Sequence, residues 1–176
     1  MSLDNRVIAA LGAVVVIGAC TVGGSVAFAA GQTAHSSHRA TLTVGNTSIV
    51  QDPFCFNDGN PLSDDDQQKC QDSAAQALKD GTLPSSDLAT SDRVGVGVSP
   101  NVADKGWLAF TNGGAQGQGG RYSLFSYSRN ATYSGSQSAG KLVNASGKTL
   151  VTVVEGDKNM DSPIAVWYFQ LNSKDN

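Results

Sequence analysis

Arg93–Phe110, RVGVGVSPNVADKGWLAF, carries the clearest alternation of apolar and polar positions in the chain. Val94, Val96 and Val98 alternate with glycine and serine, the period-2 signature of a strand with one buried face. Pro100 removes a ladder donor and ends that strand, and Asn101–Gly106 reads as a polar connection. Gly106–Phe110 then opens a second strand. Trp107 at its start is expected to anchor a core between two sheets, because one indole buries about 150–250 Å².

The same reading extends along the chain. Thr41–Val44 alternates, meets Gly45-Asn46 and resumes at Ser48-Ile49-Val50, which gives a first strand with a turn or bulge in it. Ser63 or Asp64 offers an N-cap, followed by the acids Asp64, Asp65 and Asp66 in the first turn. Cys70, Ala74, Ala77 and Leu78 fall at helical spacing and Gly81 is a natural stop, so one helix is expected over about residues 64–80. Asp80–Asp92 is turn-rich and reads as irregular. Arg121–Tyr127 is a third strand, with Ser123, Phe125 and Tyr127 on one face and Tyr122, Leu124 and Ser126 on the other. Aromatics on both faces suit either a binding surface for glycan or peptide or a strand covered on both sides, and the covered strand is the simpler reading.

Asn130–Gly140 is rich in serine and glycine, and Lys141–Asn144 reads as a short edge strand. Leu150–Val154 and Ile164–Leu171 are the two most apolar runs and look like a hairpin. The sum is a mainly β chain: an antiparallel immunoglobulin-like β-sandwich of about seven strands, with one short helix inserted after the first strand.

Residues 1–30 have a different character: Val7–Ala30 contains no charged residue. Three readings compete for it. Val7–Ala19 with Ala27-Phe28-Ala29 fits a secretory signal peptide with an A-x-A cleavage site. Ile17-Gly18-Ala19-Cys20 resembles a bacterial lipobox, which would make Cys20 the lipidated residue, and this is the preferred reading. Val7–Ala30 is also long enough to span a bilayer, which needs about 20 apolar residues. All three place the remainder of the chain outside the cytoplasm: a polar linker at 31–40, the domain at 41–172 and a tail at 173–176.

Charge narrows the functional classes. Only 15% of the 176 residues are charged and the net charge is −3, which argues against a nucleic-acid binder with its basic stripe. The chain holds two histidines, His35 and His38, both ahead of the first expected strand. The folded part is therefore expected to contain none, and without that base Ser-His-Asp and Cys-His mechanisms are unavailable. His35 and His38 form an H-x-x-H pair in the linker, too few ligands for a zinc site, and solvated linker is the expected state.

Two further groups invite chemistry. Cys55 and Cys70 are the only cysteines beyond Cys20. In an exported domain the pair reads as a disulfide, against the rival of two buried thiols. The cluster Asp58, Asp64, Asp65 and Asp66 does not match an EF-hand loop, since Pro61 and Leu62 stand where ligands should be, and helix capping accounts for it. No metal or other cofactor is expected, and a blue-copper site would need a His₂Cys set that is missing here. A hydrolase could still use paired carboxylates, Glu155 or Asp157 with Asp104, although loop acids on solvated turns are the simpler reading.

TLTVGNTSI, the cysteines in CFNDG and QQKC, RVGVGVSPNVADKGWLAF and the terminal AVWYFQL together resemble a family of uncharacterised actinobacterial (Streptomyces-type) exported lipoproteins, a domain of unknown function. The resemblance covers roughly Ala40–Leu171. It implies an extracytoplasmic domain held to the membrane through its N-terminus, and no catalytic residue. The expected activity is therefore a binding or structural role in the cell envelope, with an envelope protein or a glycan as the expected partner.

Overall fold

The computed structural model describes residues 38–113, 121–143, 146–159 and 161–174. Cys20 with its lipobox, the A-x-A triplet and His35 lie outside them.

Ten strands are found among the described residues, arranged in two sheets. The first sheet has the order β2-β1-β5-β8, from β1 (Ala40–Val44), β2 (Thr47–Gln51), β5 (Arg93–Val98) and β8 (Tyr133–Ser138). Its ladders are antiparallel, with Leu42 opposite Ile49 on one side and Val96 on the other. The turn at Gly45 has φ of 54°, which divides the expected first strand into a hairpin. A side chain at Gly45 would also run into the Asp92 carboxylate.

The second sheet runs β3-β10-β9-β6-β7, from β3 (Cys55–Phe56), β10 (Ala165–Ser173), β9 (Lys148–Glu155), β6 (Trp107–Thr111) and β7 (Tyr122–Ser128). β9 and β10 form the expected antiparallel hairpin, in register from Ala165 opposite Glu155 to Asn172 opposite Lys148. β4 (Ser85–Leu88) lies in the stretch expected to be irregular and pairs parallel with the far end of β10. Both sheets contribute to one core. Leu42, Val94 and Val96 from the first meet Trp107, Val151, Val153, Trp167 and Phe169 from the second.

The helix expected over residues 64–80 is α1 (Asp64–Asp80). Ser63 Oγ accepts from the Asp66 amide at 3.2 Å and donates to Asp66 Oδ2 at 2.7 Å, while Gly81 closes the helix in the left-handed conformation at φ of 67°. It follows β3, not the first strand. Asn101–Gly106 is mostly a second helix, α2 (Pro100–Lys105), with proline in its first turn, where the missing N–H costs nothing. Lys141, where the edge strand expected over Lys141–Asn144 would begin, instead ends a 3-10 turn, Ala139–Lys141, which delivers Leu142 fully buried into the core, and Asn144 lies outside the described residues.

α1 lies on the outer face of the second sheet. Cys70 and Ala74 pack on Val166 and Tyr168, with Leu62 and Leu83 buried beside them. This third layer explains the uninterrupted apolar run of β10: Trp167 and Phe169 face the core between the sheets, and Val166 and Tyr168 face the helix.

Candidate functional site

Cys55 and Cys70 are disulfide-bonded, joining β3 at the sheet edge to the middle of α1. The bond holds the helix over β10, where Tyr168 Oη approaches Cys70 Sγ at 4.0 Å and Phe54 meets the Tyr168 ring edge-on at 5.4 Å. Burial pushes the Tyr168 phenol above its ordinary range, partly offset by the positive charge of Arg121.

The helix covers only part of the sheet. Its buried residues are Cys70 and Ala74, and with the half-buried Ala77 and Leu78 they pack in one cluster with Val166 and Tyr168 of β10 and Leu150 and Val154 of β9. The outward residues Leu108 and Phe110 of β6 and Leu150 and Val154 of β9 are left half-buried. Between them and the helix runs a groove of about 540 Å³. Its floor is Leu108, Phe110, Leu150, Thr152 and Val154, and its helical wall is Gln67, Gln71, Ala74, Ala75 and Leu78. Small-molecule sites span about 300–1,000 Å³ and have this mix of an apolar bed with a few polar groups.

β7 supplies the opposite wall. Register shifts against β6 break the simple alternation expected for this strand, so Tyr122, Leu124 and Phe125 all pack toward the core. Phe125 lies 4.3 Å from the Trp107 ring, and Ser123 and Ser126 line the groove. Arg121, just before β7, sets its guanidinium 4.6 Å above the Phe110 ring at the groove's edge.

His38 overturns one expectation. It is not in a solvated linker but part of the folded unit, its side chain 15% exposed and bonded through Nδ1 to Glu155 Oε2 at 2.8 Å. Its ring rests on Phe56 at 4.8 Å. Glu155, expected on a solvated turn, has 0% exposure. It ends β9 on the core-facing side because residues 151, 153 and 155 alternate inward, which puts the carboxyl opposite Trp107. Burial raises its pKa, and the bond to His38 and the charges of His38 and Lys105 pull it part of the way back. Oε1 has no hydrogen-bond partner among the described residues.

Glu155 is sealed, whereas Asp104 and Asp157 are exposed, and none of the three lines the groove. Asp64, Asp65 and Asp66 are exposed in the first turn of α1, and among the described residues no cluster of three or more metal-ligating side chains occurs. The groove itself was not visible in the sequence. Its floor is spread over two strands that meet only in the sheet, and its wall depends on where the helix docks.

No protein-family model matches the chain, and no curated protein matches it.

Proposed function

We propose that the chain is an extracytoplasmic binding domain of the cell envelope, anchored through its N-terminus by lipidation at Cys20, with the groove beside α1 as its binding surface. The groove is the observation that carries this reading: a mainly apolar trough between a disulfide-held helix and a sheet. The Cys55–Cys70 bond is consistent with an oxidising compartment. Among the described residues no helix is long and apolar enough to cross a membrane, so attachment in this reading falls to the uncharged run before residue 31. The scaffold is read as a β-sandwich, and its immunoglobulin-like character rests on strand spacing alone. Kinship with the actinobacterial exported lipoproteins rests on the TLTVGNTSI, RVGVGVSPNVADKGWLAF and AVWYFQL segments and the paired cysteines.

Two substitutions test the proposal. Cys20→Ser should abolish acyl labelling and change the processed mass; unchanged labelling overturns the lipid anchor. Ala75 is exposed on α1 and lines the groove, so Ala75→Trp fills the trough without disturbing the core. A component of the envelope that co-purifies with the wild-type protein should be lost with this variant. Its retention would move the binding surface elsewhere.

A further inference from the structure

We infer that the groove takes a long-chain fatty carboxylate, its chain along the β6–β9 floor and its head at Arg121. This rests on the groove being the binding surface and adds the class of ligand. Leu108, Phe110, Leu150 and Val154 present no hydrogen-bonding side chains. Thr152 is the one hydroxyl among the floor residues, so a sugar or peptide laid along the floor would recover few of the hydrogen bonds it gives up to water, a cost that an alkyl chain does not bear. A hydrocarbon chain instead gains from burial in proportion to its covered area.

Charge then selects the head. Among the described residues Arg121 is the only charged one lining the groove, in a chain of net charge −3. No described carboxylate pairs with it: the ion pairs found among the described residues are His38–Glu155 and Arg39–Asp52. Its guanidinium carbon lies 4.6 Å from the Phe110 ring centroid, and a guanidinium fork suits a planar carboxylate in two-point fashion. The acids of α1 do not line the trough, so a bound anion meets no like charge on its described walls. Gln71, Ser123 and Ser126 offer further uncharged donors around the same space.

The test uses the full chain in its membranes, labelled at neutral pH with a palmitate carrying a diazirine in the chain and, separately, with the corresponding alcohol. Peptide mapping should place the palmitate crosslinks on Leu108–Phe110, Leu150–Val154 or the α1 residues of the groove, with stronger labelling than by the alcohol. Arg121→Glu and the milder Arg121→Gln should each lower palmitate labelling about tenfold, the loss of one charge-assisted contact, and leave alcohol labelling within about twofold. Ala75→Trp should remove both. Absence of groove crosslinks with palmitate, or palmitate labelling indifferent to both Arg121 variants, overturns the proposal. If Ala75→Trp removes the co-purifying envelope component while palmitate never labels the groove, the carboxylate is wrong and the binding surface stands. If Ala75→Trp changes neither, both fail.

Discussion

Trp107 is held from two sides. Its ring is fully buried against Phe125, and its indole N–H donates to the Ala131 carbonyl at 2.6 Å, which ties β6 to the loop before β8. Trp107→Ala should therefore lower unfolding free energy by about 3–5 kcal/mol, the usual cost of removing a large core side chain. Urea titration followed by circular dichroism measures it, and a cost below about 1 kcal/mol would show that the ring is not core. Glu155 gives a prediction of opposite character. Because burial raises its pKa in the folded state, the native protein holds a proton there that the unfolded chain releases at a lower pH. The contribution of Glu155 is thus greatest below the ordinary carboxyl value and is lost as pH rises through the raised one. Stability of wild type relative to Glu155→Gln should fall across that window, and parallel profiles would contradict it. His38→Ala leaves a buried acceptor without its partner and should cost roughly 1–3 kcal/mol at neutral pH, read from the same urea titrations.

At the scale of elements, α1 depends on its ends and its staple. Ser63→Ala removes the cap and should cost about 1 kcal/mol, a small shift in the urea midpoint. The Cys55–Cys70 bond closes a separation of 15 residues, for which the loop-entropy argument gives about 3 kcal/mol. Non-reducing peptide mapping of the protein purified without reductant should recover the linked fragments, and the double serine variant should unfold at lower urea. This helix was legible from sequence because cap, periodicity and stop are all local. β4 and β8 were not. SSDL and YSGSQS are polar segments at the edges of their sheets, where one or both faces meet solvent and the apolar alternation that marks a strand is missing. His38 was misplaced for a different reason, since its partner Glu155 lies 117 residues away and only the folded sheet brings them together.

For the molecule as a whole, the two-sheet core followed from runs that alternate or are apolar throughout, whereas the groove followed from nothing local. It lies between one helix and the outward residues of β6 and β9, elements that only the folded sheet brings together. The last strand of that sheet in chain order has a consequence for biogenesis. β10 pairs with β9 on one side and with both β3 and β4 on the other, and it meets α1 on its outer face. Every one of those partners precedes it in the chain. Under the export proposed above, with the N-terminus leading, the chain would carry β3, β4 and the apolar side of α1 across the membrane with no strand to join. The bond between Cys55 and Cys70 lies within that early portion and can close before Ala165 emerges, while the sheet waits for the last strand to insert. Translocation would thus deliver a stapled but open intermediate, exposed to proteases and to chaperones of the envelope, until β10 completes the fold in a single late step.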